Sequence, residues 1–98
     1  MIRHTVTFRL KHAPGSGAER DFLRAACALA GIEGVGNFEC LRQTSPKNLF
    51  TFGLSMEFAD ESAYAFYNNH PDHTAFVQNR WIPEVEDFLE LDYMPHTP

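Results

Sequence analysis

The first eleven residues alternate between apolar and polar side chains. Even positions from Ile2 to Leu10 are apolar except for His4, whereas odd positions carry arginine, threonine or lysine. Alternation with a period of two is typical of a β-strand with one buried face. The pattern therefore predicts a first strand and places His4 on its buried side.

Three later segments are also predicted as strands. Residues 37–43 form the second strand, and residues 50–58 form the third, in which an apolar residue occupies every second position. The last strand, residues 86–94, carries apolar side chains on both faces. An edge strand of this kind would leave apolar surface in water. We therefore predict a symmetric homodimer that pairs through strand four and the sheet face.

The segment between the first two predicted strands carries apolar residues at helical spacing. Ser16 and Glu19 have the spacing of a capping box, and apolar residues then repeat at helical intervals as far as Gly31. These features predict the first helix.

The segment between the third and fourth strands predicts a broken helical region. Asp60 can cap a helix that stops at His70, because the residue before a proline avoids helical backbone angles. Asp72 is then predicted to cap a second short helix, which Pro83 breaks or restarts.

The order strand, helix, strand, strand, helical region, strand is that of an α+β, ferredoxin-like protomer. Right-handed connections place strands one and three in the centre and strands two and four at the edges. Strand four then lies antiparallel beside strand one. This arrangement predicts that Asp92 and Tyr93 lie near His4.

Length and charge narrow the possible classes of protein. The chain has 98 residues and a formal charge of -5 without a lysine or arginine run, which predicts one domain over residues 1–98 and no nucleic-acid partner. No apolar run is long enough for a membrane span or a signal peptide, so we expect a cytoplasmic location without a membrane partner. Cys27 and Cys40 are expected to be buried, reduced thiols.

Three segments resemble the stress-responsive α/β-barrel domain family, also called dimeric A/B barrel or Dabb proteins. They are IRHTVTFRLK at the start, HPDHTAFV followed by Pro83, and LELDYMP at the end. The resemblance implies ferredoxin-like protomers that pair into a dimeric α+β barrel. The family includes stress-associated plant proteins, bacterial members without known activity, and a cofactor-free polyketide cyclase, olivetolic acid cyclase.

The likeness to that cyclase also implies site residues. Tyr67 and His73 would be the catalytic pair, and His70, His4 and Asp92 would surround it. These residues could abstract a proton beside a carbonyl and stabilise the enolate, as a cyclase, lyase or isomerase requires. In this scheme His73 is the base, Asp92 orients it, and Tyr67 donates a hydrogen bond to the oxyanion.

The predicted pocket suits a small hydrophobic carbonyl compound. His4 and His70 would be polar members of its wall. The apolar lining is predicted to be Val6, Phe8, Phe52, Leu54, Phe76 and Trp81.

A structural interpretation of the same residues stays open. His70 can hydrogen-bond backbone at the helix break, and His73 can be a solvated residue of a first helical turn. Tyr67 can be a core aromatic residue, and His4 a hydrogen-bonded core histidine. The chain would then be a non-catalytic stress-responsive or binding protein, and whether it is an enzyme stays undecided.

No cofactor or metal is predicted. The chain has no Gly-rich phosphate loop and no nucleophilic serine elbow. His70, His73, His4 and Asp92 supply enough donors for a metal ion, but their spacing is not an established zinc pattern. A cofactor-free monooxygenase or a haem protein with His73 as axial ligand would rest on similarity of fold alone. His12 and His96 are expected to be solvated.

Overall fold

A computed structural model describes residues 1–98 and contains four strands and four α-helices. A 3₁₀ turn, Ala28–Gly31, follows the first helix, and a π-helical turn, Val77–Trp81, joins the third helix to the fourth. The elements are β1 (Ile2–Leu10), α1 (Gly17–Cys27), β2 (Gly36–Arg42), β3 (Phe52–Phe58), α2 (Glu61–Asn69), α3 (Pro71–Phe76), α4 (Ile82–Glu84) and β4 (Val85–Tyr93). This order confirms the α+β, ferredoxin-like prediction.

The four strands form one antiparallel sheet in the order β2-β3-β1-β4. The central and edge positions are those predicted. His4 lies directly opposite Asp92 in the pairing of β1 with β4, and Arg3 lies opposite Tyr93. The register therefore confirms that the end of the last strand meets the start of the first.

One face of the sheet is covered by the helices and carries the core. The even residues of β1 and β3 point into it, because side chains on a strand alternate between faces. Phe8 and Phe22 are fully buried, and their ring centroids lie 5.9 Å apart. Burial of each such side chain contributes roughly 1.5–3 kcal/mol. The opposite face of the sheet has no helix upon it.

The predicted capping box begins α1. The Ser16 side chain accepts a hydrogen bond from the Glu19 amide at 3.2 Å, and the Glu19 carboxylate accepts one from the Gly15 amide at 3.0 Å. The α-helix ends at Cys27 rather than at Gly31, because a 3₁₀ turn completes the segment.

The break between α2 and α3 differs from the prediction in its cap. His70, rather than Asp72, is the N-cap of α3, and its Nδ1 accepts a hydrogen bond from the Asp72 amide at 3.0 Å. Pro71 is the first helical residue, where its missing N–H costs no hydrogen bond. His70 therefore ends one helix and begins the next.

Two expectations about exposure were wrong. Cys27 and Cys40 are both exposed, because they lie at the end of α1 and on the edge strand β2. Partial burial of its thiol and the neighbouring Cys27 thiol raise the pKa of Cys40 to about 11. His12 is not simply solvated, since its Nε2 lies 2.7 Å from Glu84 Oε1.

None of the helices is both long enough and apolar enough to cross a membrane.

Candidate functional site

A cavity of about 430 Å³ opens between β1, β4 and the helical segment that begins with α3. Eleven of its fourteen lining residues are hydrophobic. The lining consists of His4, Val6, Leu29, Leu54, Met56, Tyr67, His73, Phe76, Val77, Trp81, Ile82, Val85, Phe88 and Glu90. Such a volume and lining suit a small, mostly apolar molecule.

His4 lies at the polar end of this cavity and is held from behind by two side chains. Its Nδ1 is 2.6 Å from Asp92 Oδ1 and 2.8 Å from the Tyr64 hydroxyl. Tyr64 in turn donates to Asp92 Oδ2 at 2.8 Å. The His4 side chain is only 6% exposed, so this network replaces water around Nδ1.

The network determines the tautomer of His4. A carboxylate oxygen accepts hydrogen bonds, so Nδ1 carries the proton. Tyr64 retains its hydroxyl proton, because burial and the hydrogen bond to Asp92 raise the pKa of its phenol. In the neutral ring, Nε2 is then left with a lone pair, and Nε2 is the nitrogen that faces Glu90 on the cavity wall.

Tyr67 and His73 form the second polar group of the cavity. Their ring centroids lie 4.4 Å apart. Burial, with the charge of Glu90 acting in the same direction, raises the pKa of Tyr67, so its phenol stays protonated and can donate a hydrogen bond.

His73 is also held in a neutral form. Its Nδ1 lies 3.1 Å from the Asn68 carbonyl oxygen, which can only accept, so Nδ1 carries the proton and Nε2 does not. Burial lowers the pKa of His73, although the same Asn68 hydrogen bond acts in the opposite direction. The imidazole is therefore uncharged at neutral pH.

Most of the predicted site residues lie together, but four do not line the cavity. Phe8 and Phe52 are packed beneath it in the core, where Phe8 contacts Trp81. His70 is not part of the lining, and its ring caps α3 instead. The predicted residues that do line the cavity are His4, Val6, Leu54, Tyr67, His73, Phe76 and Trp81.

The fourth residue outside the lining, Asp92, has a different partner from the one predicted. It binds His4 and Tyr64, not His73. The physical reason is the strand register, which places Asp92 beside His4, whereas His73 lies on a helix and bonds to backbone.

Sequence reasoning missed two residues of the site, Tyr64 and Glu90. Both had a positional signal. Tyr64 precedes Tyr67 by three residues on a predicted helix, and Glu90 precedes Asp92 by two on a predicted strand, so each shares a face with a candidate residue.

The arrangement does not form a metal centre. No three His, Cys, Asp or Glu side chains are grouped as ligands of one metal ion would be. His70 and His73 are committed to different helix ends, through the Asp72 amide and the Asn68 carbonyl. Within the cavity lining, His4 and His73 each leave Nε2 without a hydrogen bond to the protein.

Solved structures with the same fold include proteins from bacteria and plants. A Dabb family protein with a ferredoxin-like fold from Mesorhizobium loti is 60% identical, with a TM-score of 0.95 over 98% of this chain and 97% of that one. A dimeric ferredoxin-like protein of unknown function from Thermobifida fusca is 21% identical, with a TM-score of 0.77 over 94% and 88%. The hydroxynitrile lyase from Passiflora edulis is 16% identical, with a TM-score of 0.86 over 99% and 94%.

The sequence is also similar to a plant protein and to a family profile. A stress-response A/B barrel domain-containing protein of Arabidopsis thaliana is 26% identical over 96% of this chain, and the match spans only 36% of that protein. The profile of the stress responsive A/B barrel domain matches residues 2–95. The chain therefore belongs to the stress responsive A/B barrel domain family, Dabb.

Proposed function

We propose that the cavity binds a small hydrophobic carbonyl compound and catalyses cofactor-free acid/base chemistry at the carbon beside the carbonyl. The observation that supports this best is the pairing of His4 with Asp92 at the wall of an apolar cavity. A carboxylate–imidazole pair whose second ring nitrogen faces the cavity is the usual arrangement of a general base.

His4 is a better candidate for the base than His73. When Nε2 takes a proton, the Asp92 carboxylate stabilises the imidazolium that forms. His73 has only a neutral carbonyl at Nδ1, and burial lowers its pKa. We therefore assign proton abstraction to His4 and leave His73 as a neutral hydrogen-bond acceptor in the wall.

Tyr67 supplies the complementary acid group. As His4 Nε2 removes the proton, the electrons of the C–H bond form the enolate double bond and negative charge moves to the carbonyl oxygen. The protonated Tyr67 hydroxyl can donate a hydrogen bond to that oxygen. Return of the proton to carbon, or elimination of a neighbouring group, would complete an isomerase or lyase reaction. Because a hydroxynitrile lyase shares this fold, lyase substrates belong among the compounds to be tested.

The proposal is tested by deuterium exchange. Benzylacetone in D₂O is followed by proton NMR with wild-type protein, H4Q, H73Q and Y67F. We expect faster exchange beside the carbonyl with wild type than with buffer, and losses of about 100-fold in H4Q and Y67F. H73Q should lose less, and circular dichroism checks that each variant folds. If wild type exchanges deuterium no faster than buffer, the proposed function is contradicted. If H4Q exchanges as fast as wild type, the assignment of His4 as the general base is contradicted.

We also propose that two chains pair through the uncovered face of the sheet. Leu89, Leu91 and Tyr93 lie on that face of β4 and are about half exposed. On the same face, Arg9 Nε is buried but has no hydrogen-bond partner. A second copy would cover the apolar side chains and could supply an acceptor. The Thermobifida fusca structure with this fold is described as dimeric, which supports the pairing.

A further inference from the structure

Glu90 is the one cavity residue with a carboxylate, and nothing in the proposed reaction uses it. Its Oε1 lies 3.7 Å from His4 Nε2, and its side chain is 58% exposed at the open edge of β4. The Glu90 carboxylate makes no hydrogen bond and no ion pair shorter than this one. Glu90 therefore lies at the mouth of the cavity, beside the atom that would react.

The rest of the lining offers nothing to offset this negative charge. No lysine or arginine lines the cavity. His73 is neutral, since burial lowers its pKa. Asp92 stands directly behind His4, so even a protonated His4 ring would lie between two carboxylates.

The cavity is small enough for this charge to act on any ligand inside it. A cavity of about 430 Å³ is roughly 9 Å across if it is treated as a sphere, which is below the Debye length of about 10 Å at 0.1 M salt. The apolar walls also reduce the screening that water would provide.

We propose that Glu90 is a charge-selective residue that keeps carboxylates out of the cavity and restricts its ligands to neutral or cationic carbonyl compounds and amines. This inference rests on the proposed function, because it names the class of ligand for the same cavity. The cationic members of that class would gain most, since an ammonium group can donate hydrogen bonds to both Glu90 Oε1 and the lone pair of His4 Nε2.

Three probes with one phenyl-alkyl body and different end groups test this. They are hydrocinnamate, benzylacetone and phenylpropylamine, which carry a negative, a neutral and a positive end group at neutral pH. Trp81 is the sole tryptophan of the chain and lines the cavity, so its fluorescence reports binding directly. Titrations in low salt give the three dissociation constants for wild type, E90Q and E86Q.

Glu86 provides the matched control. It lies on the same strand and loses the same charge in E86Q, but it does not line the cavity. We expect wild type and E86Q to bind benzylacetone and phenylpropylamine at least about tenfold more tightly than hydrocinnamate. The preference should not be much larger, because water screens the exposed carboxylate of Glu90. In E90Q, hydrocinnamate should come within about threefold of benzylacetone.

The possible failures are distinct. If all three probes bind wild type equally, or if E90Q keeps the roughly tenfold preference of wild type against hydrocinnamate, the role of Glu90 is wrong while the binding function stands. If none of the probes binds wild type or E90Q, the proposed function itself is contradicted, and the inference about Glu90 falls with it.

Discussion

At the scale of single residues, the tautomer of His4 is the property on which the site depends. Asp92 Oδ1 and the Tyr64 hydroxyl both contact Nδ1, at 2.6 and 2.8 Å, and Tyr64 binds the second Asp92 oxygen. The ring belongs to β1 and its two partners to α2 and β4, so three elements of the fold together fix its orientation. An imidazole free to rotate or change tautomer would present Nε2 as an acceptor only part of the time.

Replacing Asp92 by Asn should disturb this tautomer with little change in shape. The Asn amide can donate to Nδ1, which moves the ring proton to Nε2 and removes the lone pair from the cavity. We expect the ¹⁵N shifts of His4 to show a proton on Nε2 in D92N, and deuterium exchange of benzylacetone to fall by at least about 100-fold. Y64F is the control, because it leaves the carboxylate in place and should keep the wild-type tautomer. An unchanged His4 spectrum in D92N would contradict the assignment.

At the scale of elements, the predictions succeeded where a repeating pattern defined a face. The alternation in β1 and β3 and the helical spacing in α1 are periodic, and the topology determines which strands are neighbours. The pairing of Asp92 with His4 could therefore be anticipated from the order of strands.

The elements that were predicted less well depend on tertiary packing. No periodicity determines the direction of a ring on a short helix, so the partner of His73 and the position of His70 outside the cavity could not be read from spacing. The π-helical turn before α4 was also missed, because its residues carry the same helical apolar pattern as an α-helix.

At the scale of elements, we predict that His70 stabilises the break between α2 and α3. Because His70 Nδ1 accepts the Asp72 amide as an N-cap, H70A should lower the free energy of unfolding by about 1 kcal/mol. H70N should restore most of the loss, since the Asn side chain is a favourable cap. Urea denaturation measures both variants, and Trp81 fluorescence should show unchanged binding of benzylacetone. Weaker binding in H70N at wild-type stability would place His70 in the ligand site after all.

At the scale of the whole molecule, the sheet separates two kinds of surface. The face under the helices holds the core and the cavity, whereas the uncovered face carries Leu89, Leu91 and Tyr93 beside the threonines of β1. These side chains would remain in water in a monomer, at the edge of the sheet where unpaired backbone is also exposed. Pairing of two uncovered faces would bury these side chains without closing the cavity, which opens on the opposite side.

The mass in solution tests this separation. At micromolar concentration, sedimentation equilibrium should give about 22 kDa for wild type, twice the 11.2 kDa of one chain. L91K introduces a charge at the centre of the uncovered face of β4 and should sediment as a monomer, because a buried unpaired lysine is costly. L49K is the matched control, since Leu49 is 77% exposed outside the sheet and its variant should stay dimeric. A wild-type monomer, or a dimeric L91K, would show that this face is not the contact between chains.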